Sequence, residues 1–162
     1  LVVGPATGHD VGMDGDRSAQ WLALAASAQV GRLATRRSDD RVDLVPFVFA
    51  WLPAPEPLGR LVSAVDHKPK RHDRLQRFAN IAVHPQVTVL VDHYEDDWSH
   101  LWWVRLRGMA NEEADPEGLD ALCQKYRQYV GRPPAGPMLK VTLTSVQGWS
   151  SYPIPDHRAG GG

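Results

Sequence analysis

The chain has 162 residues, with 18 Lys plus Arg against 19 Asp plus Glu and a formal net charge of −1. At roughly 100–200 residues per domain this argues one domain with its own core, and it excludes a global positive field that would hold nucleic acid or an anionic membrane. The single cysteine, Cys123, excludes an intrachain disulfide framework and a cysteine-based zinc site, which suits a reducing cytoplasm.

Residues 1–16 read as a disordered leader with Met13 a candidate natural start, residues 17–153 as the domain, and residues 154–162 as a flexible tail. From Ser18 to Ala28, Trp21, Leu24, Ala25 and Ala28 recur at helical spacing and predict a short amphipathic helix. Val30–Arg36 and Val42–Trp51 are β-rich runs around a polar turn, so an antiparallel hairpin is expected. Pro46 inside the second run marks an edge, a bulge or a place where a ligand replaces strand pairing. A third strand, Arg60–Val65, is expected to meander beside the first two. The longest apolar run, Leu44 to Leu52, is far shorter than the roughly 20 residues of a spanning helix, so no membrane partner is expected.

Leu75, Phe78, Ala79 and Ala82 then give a second helical stripe, ended by Pro85. Gln86–Tyr94 alternates Val87, Val89 and Val91 as a strand does. Glu95-Asp96-Asp97 turns the chain into a long strand, Leu101–Glu112, in which Gly108 marks a bend or bulge. Asp115-Pro116 is a helix start with Asp as cap, and Leu119, Leu122, Cys123, Tyr126, Tyr129 and Val130 follow until Gly131. Met138–Val146 is the last strand, and residues 147–152 close the ordered chain. Six or seven strands and three helices without βαβ repetition predict a mainly β fold, an antiparallel barrel with peripheral α-helices.

The densest chemistry lies at residues 66–77, where Lys68, Lys70, Arg71, Arg74 and Arg77 face only Asp66 and Asp73. Cations at a helix N-terminus are unfavourable unless an anion joins them, so a phosphate site resolves the pattern. A solvated basic helix face is the alternative, and Pro69, which stiffens the loop, favours the shaped site. The seven histidines form no H-E-x-x-H or cysteine-paired set, so no metal is expected. No G-x-S-x-G or P-loop occurs, which leaves hydrolase-type acyl transfer and nucleoside triphosphate hydrolysis unsupported. Trp21 and Trp51 are expected in the core, whereas Trp98, Trp102 and Trp103 beside the acidic turn suggest a dimer or cofactor surface. Asp92, Glu95, Asp96 and Asp97 either face the basic stretch of a partner chain or form a solvated hairpin tip.

Val30-Gly31-Arg32-Leu33-Ala34-Thr35, Leu44-Val45-Pro46-Phe47-Val48-Phe49 and Ser63-Ala64-Val65-Asp66-His67-Lys68-Pro69-Lys70-Arg71 resemble the split β-barrel flavin and deazaflavin superfamily that includes pyridoxamine 5′-phosphate oxidase. Asn80-Ile81-Ala82-Val83-His84-Pro85, Val91 to Trp98, and Leu101 to Arg105 with Gly108 resemble its actinobacterial F420-dependent branch. The resemblance spans Ser18 to Tyr152. It implies an FMN-binding-like split barrel, a cytoplasmic homodimer with one cofactor in each of two interface grooves, and an oxidoreductase acting on a small-molecule substrate.

Carried onto this sequence, Lys68, Lys70 and Arg71 would hold the cofactor phosphate, and Ser63, Ala64 and Val65 would lie beneath the ring. Arg32, Leu33, Ala34 and Thr35 would line the tricyclic ring with Val45 and Pro46, and Trp102 and Trp103 would come from the facing subunit. The implied cofactor is coenzyme F420, with FMN the alternative. The implied reaction is hydride transfer from the deazaflavin to an electron-poor double bond or quinone-like acceptor, with a non-catalytic flavin- or F420-binding protein as a further alternative. The stretch between Lys70 and His84-Pro85 is longer than in the oxidase pattern, and no pyridoxal phosphate clamp is present, so vitamin B6 oxidation is not implied. No catalytic side chain is assigned. Tyr94 and His67 are candidate proton donors, with ordinary structural hydrogen bonding as the alternative, and Arg36, Arg37 and Arg41 offer cations for an oligoglutamate tail or simply a solvated turn.

Overall fold

The computed structural model describes residues 15–53, 55–65 and 71–154, and for 15, 16 and 71–75 the backbone alone. Along the chain come α1 (Gly15–Ser27), β1 (Gly31–Arg36), β2 (Val42–Phe47), β3 (Ala50–Leu52), β4 (Arg60–Ala64), α2 (Arg71–Val83), β5 (Gln86–His93), β6 (Trp102–Glu112), α3 (Pro116–Lys125) and β7 (Met138–Ser150). The strands form one antiparallel sheet in the order β2-β1-β5-β6-β7-β4-β3.

That order dictates the shape. β2 and β3 are joined by Val48 and Phe49 alone, yet they occupy opposite ends of the sheet. Seven flat strands would hold their edges roughly 29 Å apart at about 4.8 Å per strand, whereas the link reaches at most roughly 10 Å. The sheet must therefore curl until its edges meet. The expected meander of the first three strands is corrected accordingly: the run from Val42 to Leu52 is one bent strand that leaves one edge and joins the other. Its alternation never breaks, because Phe47, Phe49 and Trp51 pack into the interior of the curl while Val48, Ala50 and Leu52 pack outward.

Two cores result. The larger fills the curl with Leu33, Leu61, Val89, Val91, Val104, Leu106 and Val141 and is capped by Leu22 and Ala25 of α1 and Phe78 and Ile81 of α2. The smaller lies outside β3 and β4, where Leu122 and Tyr126 of α3 meet Ala50, Leu52 and Val62. Strand β4 is thus covered on both faces, whereas β5 and β6 alternate buried and open positions.

Local signals explain the elements and their departures from expectation. Asp115 caps α3, its carboxylate accepting the Gly118 N–H at 2.9 Å, with Pro116 in the first turn. The α-helix ends at Lys125 and passes into a 3-10 turn at Arg127–Tyr129 rather than running to Gly131. The sheet register shifts between Arg107 and Gly108, where a Cβ on Gly108 would stand 2.3 Å from the Thr142 carbonyl oxygen, so the expected bulge is present. β7 continues past Val146 to Ser150, because Gly148 lets the Trp21 indole of α1 rest directly on the strand. In α2, Ala79 and Ala82 are exposed, and Phe78, Asn80 and Ile81 are buried instead. Asn80 sets that rotation by donating its side-chain amide to Thr35 Oγ1 and Asp43 Oδ2, both at 2.9 Å. The Leu75 side chain lies outside the described residues.

Candidate functional site

The sheet opens where β2 and β4 part. β3 pairs with β4 only from Ala50–Val62 to Leu52–Arg60. Beyond Val62, Ser63 and Ala64 pair with β7, and Val65 donates its N–H to Pro137 at 3.0 Å. Because the pairing is antiparallel, this end of β4 runs back alongside β2, whose strand partner is β1. Among the described residues, neither of these two rims has a strand partner across the gap. The gap between these rims, termed the cleft below, has Val45 and Pro46 on β2 and Ser63, Ala64 and Val65 at the end of β4, with Val45 and Val65 packed against the larger core and Ser63 buried. Pro46, with no N–H to give a ladder, sits on an edge strand. The basic stretch starts where β4 ends. Lys68, Lys70 and His67 lie outside the described residues, and Arg71 is described only as the backbone of the first residue of α2.

The remaining expected site residues divide by strand parity. Leu33 and Thr35 point into the core, Thr35 accepting from Asn80, so only Arg32 and Ala34 of that segment present side chains outward. Trp102 also faces inward, stacked on His93 with ring centroids 6.4 Å apart. Trp103 faces outward and lines a shallow hollow of about 290 Å³ with Leu90, Asp92, Tyr94 and Arg105. Trp98 is exposed. Arg32 pairs in register with Pro46 on one side and Leu90 on the other, and its side chain makes a salt bridge to Asp92 near Trp103.

Sequence reasoning missed Arg105, Leu90, Gln147 and Trp149, which flank this hollow. Register places Leu90, Arg105 and Gln147 in one cross-strand row and Asp92, Trp103 and Trp149 in the next. The outward alternation Trp103, Arg105, Arg107 was the available signal. Arg105 lies 5.8 Å from the Trp103 ring centre and donates to Gln147, while its buried Nε has no hydrogen-bond partner. A buried N–H left without an acceptor costs about 1–3 kcal/mol.

A third set of contacts lies behind the cleft. At the N-terminal end of α3, Arg60 of β4 donates to Asp115 at 2.7 Å and to Glu117 at 2.6 Å. The Arg60 hydrogen bond holds the Asp115 carboxyl below the ordinary range, and the same pairing raises the Arg60 guanidinium further. At the other end, Lys125 Nζ donates to the Phe49 carbonyl at 2.9 Å and lies 4.2 Å from the Phe49 ring centre. Burial pushes that ammonium down to about 8. The Tyr126 hydroxyl accepts the Phe49 N–H at 3.0 Å and stands within 2.9 Å of the Gln29 carbonyl and 2.8 Å of the Phe49 carbonyl.

Of the other polar groups, Tyr94 is exposed at the rim of the hollow. His93 and His100 share the carboxylate of Glu95 at 3.5 and 2.9 Å. No group of three or more metal-ligating side chains occurs among the described residues, and no helix among them is long and apolar enough to cross a membrane.

The curled, parted antiparallel sheet with three helices is the split β-barrel fold found in flavin-binding proteins. No family model and no curated protein matches the sequence, whereas solved structures do. The conserved hypothetical protein Rv2991 from Mycobacterium tuberculosis is similar with a TM-score of 0.63 at 18% identity over 94% of both chains. The FAD binding protein from Mycobacterium smegmatis gives 0.55 at 18% identity, over 81% of this chain and 91% of that one. A heme binding protein from the same organism gives 0.58 at 16% identity, over 87% of this chain and 60% of that one. At such identities the likeness is one of fold.

Proposed function

We propose that this protein is a cytoplasmic, homodimeric F420-dependent oxidoreductase, a reductase that delivers a hydride to a small organic acceptor. The observation that carries the reading is the parted sheet: two unpaired strand rims with apolar side chains converge beside the start of a basic stretch. A flat tricyclic ring with an anionic tail needs such a surface, apolar with a few backbone hydrogen bonds and a cation cluster at one end. The residues present fit that group. The free backbone edges of Ser63, Ala64 and Val65 would orient the ring from one rim, Val45 and Pro46 would cover it from the other, and Lys68, Lys70 and Arg71 would hold its phosphate. When bound, the deazaflavin supplies the hydride chemistry, and the protein contributes orientation and exclusion of water.

The hollow beside Trp103 supports the dimer. Half-buried Trp103, exposed Leu90 and Trp149, and the unsatisfied Arg105 Nε are the composition of a covered surface rather than of a solvated one. The choice of F420 rests on the resemblance of residues 80–85, 91–98 and 101–105. FMN is the second reading, favoured by the FAD-binding neighbour.

Titration of the cofactor-free protein with F420, FMN and heme, followed by tryptophan fluorescence, tests this directly. Selective F420 binding is expected. Binding of FMN alone would keep the cleft and change the cofactor, and binding of neither F420 nor FMN would reject the reading. Lys70→Ala and Arg71→Ala should each weaken cofactor binding by about 1–3 kcal/mol, the worth of a charge-assisted hydrogen bond. Sedimentation should give twice the monomer mass.

A further inference from the structure

The cleft has a brace. Strands β3 and β4 form one side of it and the β1–β2 hairpin the other, and α3 is fastened to both. Its N-terminal end is tied to β4 through Arg60, Asp115 and Glu117, and its face is packed on Ala50, Leu52 and Val62. Its C-terminal end grips Phe49, which follows β2, and Gln29, which precedes β1, so both feet of the hairpin are held at one place.

The hydrogen bonds there converge on Phe49. A tyrosine hydroxyl has one proton to give, and two carbonyls, of Phe49 and Gln29, lie within its reach. Lys125 Nζ also donates to the Phe49 carbonyl, which can accept two hydrogen bonds, while the Tyr126 oxygen accepts the Phe49 N–H. Without Lys125 the Phe49 carbonyl loses one of its two donors, and the fastening of Phe49 to α3 rests on Tyr126 alone. Charge near Lys125 is sparse. β3 carries no charged residue, Arg60 of β4 is engaged at the opposite end of α3, and Arg127 of the following turn is exposed. Among the described residues no carboxylate lies within ion-pair distance of Lys125, whose neighbours are the Phe49 and Tyr126 rings.

We propose that α3 sets the width of the cleft, with Lys125 and Tyr126 as positioning residues that fix the β1–β2 hairpin relative to β4 and thereby tune the grip on a planar cofactor. This rests on the cofactor reading above and adds residues far from the phosphate-binding stretch to it. Neither residue needs to touch the ligand.

The test combines cofactor titration with amide hydrogen exchange in wild type, Lys125→Met, Lys125→Arg and Tyr126→Phe, each first shown to be folded by its thermal transition. Lys125→Met should weaken binding of F420 and FMN alike by roughly 10-fold, the loss of one charge-assisted bond, and Lys125→Arg should restore it. Wild-type affinity should fall as pH rises past about 8, and Lys125→Met should lose that pH dependence. A structural role alone would not move the pH profile. Unchanged affinity and an unchanged profile in Lys125→Met would overturn the proposal. If the wild type binds neither F420 nor FMN, the cofactor reading fails and exchange decides the brace: faster exchange at Phe49 and Ser63–Val65 in Lys125→Met and Tyr126→Phe, but not in Lys125→Arg, sustains it, and equal exchange in all four proteins rejects it.

Discussion

Two arginine–aspartate pairs use the same chemistry in opposite settings. Arg60 and Asp115 lie between β4 and α3 with side chains 5% and 9% exposed, whereas Arg32 and Asp92 bridge β1 and β5 on the open face at 44% and 20%. The first pair carries extra duties. Asp115 is also the cap of α3, and Arg60 reaches Glu117 as well. In the interior an ion stripped of its partner keeps the full cost of desolvation, while near the surface water and salt replace the partner. The same bond is thus a structural requirement in one place and nearly neutral in the other.

The largest effect is expected from Asp115→Ala, which removes both the cap of α3 and one of the two carboxylates to which the buried Arg60 guanidinium donates. A loss of about 2–4 kcal/mol in urea unfolding is expected, the worth of a charge-assisted hydrogen bond together with a helix cap, and a loss below 1 kcal/mol would place the pair with the exposed class. Replacing both partners, as Arg60→Met with Asp115→Leu, should recover part of it, since the buried ion pair itself is gone while the cap of α3 stays lost. Acid should separate the pairs further. The Asp115 carboxyl is held below its ordinary value by Arg60, so its contribution is complete above about pH 4 and disappears as pH falls through the folded value. Wild-type stability should therefore drop below about pH 4 more steeply than that of the double variant.

Lys125 should shift stability in the same direction, but in the alkaline range. Its folded value near 8 lies below the roughly 10.4 of an unfolded lysine. Between those values the unfolded chain binds more protons, so stability should rise with pH. Chemical denaturation across pH 7–10 should detect this rise in wild type and not in Lys125→Met. The smallest effect belongs to Arg32→Ala, at about 0–1 kcal/mol in the same assay. A larger loss would mean that the face carrying Arg32 is covered in solution.

What the sequence made legible was local, and what it hid was relational. Asp115 is readable as a cap because its partner, the Gly118 N–H, is three residues away. Its other partner, Arg60, is 55 residues away, and nothing near either residue announces it. Gly108 betrays a bulge because a glycine in a strand has few other reasons to be there. The parting of the sheet at Val48–Phe49 leaves no such mark, since inward and outward positions alternate without a break through the link. Only the pairing of β3 with β4 and of β2 with β1 creates the opening. The basic stretch stood out because charge density is a local property. Arg105 and Lys125 did not, because each acquires its significance from rings and carbonyls brought by other strands.

Pro46 has a consequence beyond the cleft. Residues 42–49 read Val-Asp-Leu-Val-Pro-Phe-Val-Phe, and Val42 and Leu44 are 66% and 64% exposed on a border strand. Without the proline this would be a β-prone, weakly charged segment of the kind that recruits identical chains into fibrils. The imide interrupts that recruitment, and at the other border β3 is only three residues long. The bare strand edges of the sheet are thus denied to aggregation.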